Sequence, residues 1–87
     1  MKIQRISYRK VGDDVREYKK LILTKIDDNH YLTQAYLKTN GQWMDAGATS
    51  VFDGENVVNG VVHFAHDGVD TKFKLLIEYE HYSVVEE

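Results

Sequence analysis

The 87-residue chain contains no cysteine, no proline and no long run of apolar side chains. Without cysteine there can be no disulfide, no thiolate zinc site and no cysteine nucleophile. A transmembrane helix needs about 18 consecutive apolar residues, and no segment of the chain reaches that length. The first ten residues alternate polar and apolar side chains and lack the apolar stretch of a signal peptide. We therefore expect a cytoplasmic protein without a membrane partner.

Basic residues are also scarce, since 11 Lys and Arg face 14 Asp and Glu, which gives a formal net charge of −3. Domains that bind nucleic acid usually carry a basic excess, so we expect no nucleic-acid partner. Hydrophobic residues make up 43% of the chain, which is enough for one compact core. A chain of this length leaves no room for a second core. The sequence predicts one domain over residues 1–87.

Turn-forming residues recur at regular intervals and separate six segments rich in β-branched and aromatic side chains. The turn signals are at 12–14, 27–29, 40–41, 53–56 and 67–70. The segments between them are 2–11, 15–26, 30–39, 42–52, 57–66 and 71–84. Short connections join antiparallel strands, because parallel strands need long crossovers. The pattern predicts an all-β, six-stranded antiparallel up-and-down meander, closed as a small barrel or left as a strongly curled sheet.

The alternation of side chains also predicts a register for this sheet. The inward-facing pairs are those that join apolar side chains: Ile22–Ala35, Ile26–Tyr31, Leu37–Met44, Phe64–Phe73 and Val62–Leu75. Strand four fits this register only if the loop after Phe52 has an odd length or a bulge lies near Gly47. Both options stay open. An error of one residue would turn every side chain of a strand to the other face.

Residues 15–26 also fit a helix. Asp14 could cap it, Glu17 would complete a capping box, and the apolar side chains approximate a helical stripe. Against the helix, Ile22, Thr24 and Ile26 alternate cleanly and the segment ends in a turn signal. A strand is therefore the prediction. A helix here would instead give an α+β fold, with the helix packed on the sheet.

In the predicted register, apolar side chains also occupy the outer face of the sheet. Leu21 lies opposite Tyr36, with Leu23 and Leu32 nearby and Trp43 at the edge of the patch. Contiguous exposed apolar surface often marks an interface, and Trp and Tyr are favoured anchors there. We therefore predict a non-catalytic binding or interaction module that uses this face, with a protein partner or a second copy of the chain. Coverage of the patch by residues 82–87 is the alternative.

A second hypothesis concerns the predicted mouth of the barrel. Tyr8, Tyr18, Met44 and His66 converge there and would form a shallow site for a small molecule. The alternative role for these tyrosines is to cap the core while their hydroxyls reach water.

The pattern nearest to a metal site consists of His63, His66, Asp67 and Asp70. Residues three apart on a strand point to opposite sides, so the pattern favours an outward His63 opposite Lys74 and an ordinary polar turn. The serines lack a nucleophile elbow, and no phosphate-binding loop is present. We predict no catalytic residues, no metal ligands and no cofactor. A histidine- or metal-dependent enzyme is the third hypothesis.

Overall fold

A computed structural model describes residues 1–64 and 68–86 of the chain. In this part of the chain, one antiparallel sheet of seven strands is combined with one helix. The elements in chain order are β1 Lys2–Val11, β2 Asp14–Asp27, β3 His30–Thr39, β4 Gln42–Asp45, β5 Val57–Val58, β6 Val61–His63, α1 Val69–Tyr79 and β7 Ser83–Glu86. α1 is too short to cross a membrane, and the described residues contain no other helix.

The strand order is β5-β6-β3-β2-β1-β7, and β4 also pairs with β3. The long strands β1, β2 and β3 follow one another as a meander, which confirms the predicted antiparallel sheet. The outermost strands, β5 and β7, do not pair with each other within the described residues, so the sheet is open. Of the two predicted forms, the closed barrel is therefore excluded.

Residues 15–26 are extended throughout, so the alternative of a helix in this segment is wrong. β2 lies between β1 and β3, and both neighbours satisfy its backbone hydrogen bonds. β-Branched side chains such as Val15, Ile22 and Thr24 favour this pleated environment over a helix.

The predicted strand at 71–84 is wrong, because residues 69–79 form α1. Val69, Phe73 and Leu76 follow helical spacing and are buried, and they lie on the face of the helix that covers the sheet. The strand interpretation placed Phe73 and Leu75 on one face, but Leu75 is 41% exposed whereas Phe73 is 0% exposed. The apolar residues of this segment fit both the two-residue period of a strand and the 3.6-residue period of a helix. The helix forms because it buries one apolar stripe against the sheet.

The predicted register between β2 and β3 is wrong by one residue. Leu21, and not Ile22, lies opposite Ala35, and Lys25 lies opposite Tyr31. A register shift between Lys25 and Asp27 accounts for the difference, since the extra residue sits next to the turn from which the pairing was counted. As a consequence, Leu21 and Leu23 face the core beneath α1 and Ile22 faces away from it.

The turn between β3 and β4 is as predicted. Asn40 and Gly41 both have positive φ angles, 50° and 78°, and they place Leu37 opposite Met44. The register of strand four was expected to need either an odd-length loop after Phe52 or a bulge near Gly47, and the structure has the bulge. The amide of Ala35 donates to the carbonyl of Gly47 while its own carbonyl accepts from the amide of Ala46, so two residues face one.

The core lies between α1 and one face of the sheet. Its buried members are Ile3, Leu23, Tyr31, Val62, Phe64, Val69, Phe73, Leu76 and Tyr82. The ring of Tyr31 is central, because it stacks on Phe64 at 5.2 Å and meets the edge of Phe73 at 5.8 Å. Each large apolar side chain buried in this way stabilises the fold by about 1.5–3 kcal/mol. This core covers one face of the sheet and leaves the other without a second layer.

Candidate functional site

The side of the sheet that faces away from α1 carries a group of partly exposed side chains, which we call the open face. Its members are Gln4, Ile6, Lys20, Ile22, Thr24, Leu32, Gln34, Tyr36, Lys38, Trp43 and Val61. Each is half-buried, and none belongs to the core cluster or packs against it. The described chain places no helix and no further strand over this surface. The open face is therefore a sheet surface of mixed apolar and polar side chains without a covering layer in the described chain.

Two lysines are laid over the aromatic rings of the open face. The ammonium of Lys20 lies 5.3 Å from the ring centre of Tyr36 and 4.7 Å from that of Trp43. Lys38 lies 4.7 Å from the same Trp43 ring, and its ammonium also contacts Glu17 at 3.3 Å. Such cation–π contacts are worth about 0.5–1 kcal/mol at exposed sites. They hold Trp43 in one orientation, with positive charge at the border of the apolar surface.

The structure divides the residues predicted to form an interface between the two faces of the sheet. Leu32, Tyr36 and Trp43 lie on the open face. Leu23 is 0% exposed within the core, and Leu21 packs against that core from the same side. The residue opposite Tyr36 is Lys20, whereas Leu21 was predicted there. The one-residue difference in register explains this exchange.

The sheet is open, so the described structure has no barrel mouth. The residues predicted to line such a mouth lie on separate parts of the sheet. Tyr8 and Tyr18 lie on β1 and β2 near the turn that joins them, and both side chains are exposed. The guanidinium of Arg9 lies 4.9 Å from the ring of Tyr18. Met44 lies on β4, which is separated from β2 by β3. His66 lies outside the described residues.

The suggested metal pattern is only partly covered by the structure, because His66 and Asp67 lie outside the described residues. His63 lies opposite His30 and stacks on its ring at 4.7 Å, so the predicted position opposite Lys74 is wrong. Asp70 is engaged by the ammonium of Lys25 at 3.0 Å. Within residues 1–64 and 68–86, no group of three or more His, Asp or Glu side chains is arranged to hold a metal ion.

Sequence reasoning missed a cleft of about 720 Å³ at the β5–β6 side of the sheet. Glu55 lies in its wall, and Oε2 of this side chain accepts a hydrogen bond of 3.0 Å from the hydroxyl of Tyr31. The other oxygen, Oε1, is buried and accepts no hydrogen bond from residues 1–64 or 68–86. Burial raises the pKa of Glu55, and burial beside this carboxyl also raises the pKa of Tyr31. Glu55 lies in the predicted turn at 53–56, where a polar residue is expected. Its presence therefore gave no indication of a binding site.

A second wall of the cleft contains the stacked rings of His30 and His63. Nδ1 of His30 lies 2.7 Å from Oδ1 of Asp27, and this hydrogen bond lowers the pKa of Asp27. The ammonium of Lys72 lies 4.8 Å from the ring of Phe52 on the opposite side. The cleft therefore combines aromatic walls, two imidazoles and one carboxyl oxygen that lacks a donor. These features are typical of a small-molecule site.

Comparison of the chain with protein-family models, with curated proteins and with solved structures finds no match.

Proposed function

We propose that this protein is a non-catalytic binding module that associates with a second copy of itself through the open face. The observation that carries the proposal is the uncovered sheet surface around Leu32, Tyr36 and Trp43. Stable domains bury the apolar face of a sheet against a second layer. A second copy packed face to face would supply the layer that α1 supplies on the other side.

The size of the molecular surface supports a partner of this kind. The accessible surface is 5934 Å² for a mass of 10.1 kDa, whereas the usual scaling for compact monomers gives roughly 5,300 Å². The molecule measures 44 × 27 × 24 Å, and its radius of gyration is 13.7 Å, against about 12 Å for a compact domain of this length. The molecule is therefore more elongated than a compact monomer of this size, which leaves more of its surface available to a partner.

The open face carries both positive and negative side chains. This favours a second copy of the chain over a partner whose surface is strongly acidic or strongly basic. Lys38 contacts Glu17 at 3.3 Å, and Asp45 lies opposite Tyr36 on β4. In a two-fold interface each patch meets its own copy, so a surface that carries both signs can place lysines against carboxylates. A strongly acidic or strongly basic partner would meet like charges, which weakens association.

The proposal is tested by the mass of the protein in solution. Sedimentation equilibrium across a concentration series should give a species of twice 10.1 kDa. Tyr36→Glu should shift the protein to the monomer, because it places a charge in the apolar patch. Tyr79→Glu is the matched control, since Tyr79 is 70% exposed on α1, away from the open face. A wild-type protein that stays monomeric at about 1 mM, or equal association of the two variants, would overturn the proposal.

A second candidate function is the binding of a small molecule in the cleft beside Glu55. The buried Oε1 of Glu55 favours it, because a buried acceptor without a donor costs about 1–3 kcal/mol. A ligand with a hydrogen-bond donor and an aromatic ring would pack against Phe52 and Phe64, which line the cleft and contact each other edge to face at 5.9 Å. A small shift of the Glu55 side chain would let the donor reach Oε1. A fragment screen followed by NMR tests it: amide shifts at Glu55, His30 and His63 support it, and no response at these residues eliminates it.

A cytoplasmic location remains part of the proposal. It is supported by the absence of cysteine, because small secreted domains usually depend on disulfides for stability.

A further inference from the structure

A small pocket of about 190 Å³ lies on the side of the sheet that faces α1, beyond the C-terminal end of the helix. It is lined by Arg5, Ser7, Lys19, Leu21 and Tyr82. The first four side chains come from the paired strands β1 and β2, and Tyr82 follows α1. This pocket lies on the opposite side of the sheet from the open face, so it is independent of the proposed dimer.

The strand register brings the two cationic side chains of the pocket together. Arg5 pairs with Leu21 and Ser7 pairs with Lys19, so Arg5 and Lys19 are diagonal neighbours on one face. Diagonal residues on adjacent strands are within reach of each other's long side chains. Like charges held this close repel, and an anion between them would relieve the repulsion.

The charge of the pocket is only partly balanced by the protein. Glu80 contacts Arg5 at 3.7 Å, and both side chains are well exposed, so this pair contributes little. In the part of the chain that the structure describes, no carboxylate lies within 4.0 Å of the Lys19 ammonium. Among the described residues, the pocket therefore has two cations and one nearby carboxylate, which lies beside Arg5.

Every polar side chain that lines the pocket can donate a hydrogen bond. Arg5 offers a guanidinium, Lys19 an ammonium, and Ser7 and Tyr82 offer hydroxyls. Tyr82 is 7% exposed, and its backbone amide is hydrogen-bonded to the carbonyl of Leu76 at 3.3 Å, so the ring is held in place. Burial also raises the pKa of the Tyr82 hydroxyl, which keeps its proton available for donation at neutral pH. The lining favours a ligand that only accepts hydrogen bonds.

We propose that this pocket binds a phosphoryl group, either as free phosphate or as the phosphate of a small phosphomonoester. A phosphate dianion offers acceptor oxygens on several sides, and arginine and lysine are the side chains that pair with it best. The volume of about 190 Å³ is smaller than the ~300–1,000 Å³ of pockets that enclose a whole drug-sized ligand. The pocket therefore fits one anionic group, with any organic remainder outside it.

The test is an NMR titration with inorganic phosphate at constant ionic strength. Amide shifts should concentrate at Arg5, Ser7, Lys19 and Tyr82. Lys19→Gln should weaken binding at least tenfold, a loss of about 1.4 kcal/mol or more, since it removes a charged hydrogen-bond donor to the anion. Lys10→Gln is the matched control, because it removes the same charge from β1 outside the pocket and should leave the affinity unchanged.

Glu80→Gln provides a test in the opposite direction. It removes the carboxylate that competes with phosphate for Arg5, so phosphate should bind several-fold more tightly. Amide spectra of each variant report whether the fold is kept. Phenyl phosphate that binds more tightly than phosphate identifies an ester as the ligand, and equal binding identifies the free anion.

Three results would overturn the inference: no shift at these residues in 50 mM phosphate, equal weakening by Lys19→Gln and Lys10→Gln, or equal shifts with acetate.

Discussion

The hydroxyl of Tyr31 donates a 3.0 Å hydrogen bond to Oε2 of Glu55 and so connects the middle of the sheet to the loop before β5. Tyr31 is 0% exposed and stacks against Phe64 and Phe73, so its position is set by the core. Through this bond the core also holds Glu55, although the second carboxyl oxygen, Oε1, receives no hydrogen bond from the part of the chain that the structure describes. Glu55 is therefore a titratable group whose environment is decided by the core.

Glu55→Gln should stabilise the protein more at pH 7 than at pH 4. Burial raises the pKa of Glu55 above its ordinary value of 4.5. A raised carboxyl pKa means that the folded state favours the protonated form, so this stability is fully present below pH 4.5 and is lost as pH rises through the folded-state pKa. Glutamine cannot ionise, and its amide oxygen can still accept from Tyr31. Urea unfolding at both pH values measures the difference in the free energy of unfolding.

Glu78→Gln is the control for this experiment, since Glu78 is an exposed residue of α1. Its effect on stability should not follow the same trend. A difference between Glu55→Gln and wild type that stays constant from pH 4 to pH 7 would contradict the prediction.

Phe73→Ala and Leu75→Ala should have very different effects on stability. In α1 the side chain of Phe73 points into the core, whereas Leu75 is 41% exposed. Truncation of a buried Phe costs about 3–5 kcal/mol, and a surface substitution costs about 0.5 kcal/mol. Thermal or denaturant unfolding measures both. Similar losses for the two variants would mean that both side chains share a buried face, as in a strand.

Leu23→Ala and Leu32→Ala should separate stability from association. Leu23 lies in the core with 0% exposure, so its truncation should lower the free energy of unfolding by about 2–5 kcal/mol. Leu32 is half-buried on the open face, so its truncation should cost about 1 kcal/mol in the monomer and weaken the dimer. Chemical unfolding and sedimentation of both variants provide the measurement. An unaltered dimer in Leu32→Ala would place the interface elsewhere.

The three long strands and the turns that join them were predictable because their signals are local. The predicted strand at 42–52 instead ends at Asp45, and the one at 57–66 is divided by a turn at 59–60. Asn40-Gly41 adopts positive φ angles at low cost, and this alone places Leu37 opposite Met44. The segment 15–26 contains enough β-branched residues to favour a strand even though its apolar spacing also fits a helix. The candidate site was harder to predict from the sequence. Glu55 and His30 are far apart in the chain, and they line the same cleft only after folding.

The sequence by itself determined the antiparallel meander of β1, β2, β3 and β4, since positive-φ turns and β-branched runs act within a few residues. The tertiary structure placed β6 beside β3 and β7 beside β1. The tertiary structure decided that residues 69–79 form a helix, because only packing of Val69, Phe73 and Leu76 against the sheet distinguishes one apolar period from the other. It also decided which face of β2 is buried. A single extra residue before Asp27 exchanges the buried and the exposed side chains of β2. The position of this extra residue depends on the packing of Leu21 and Leu23 in the core beneath α1.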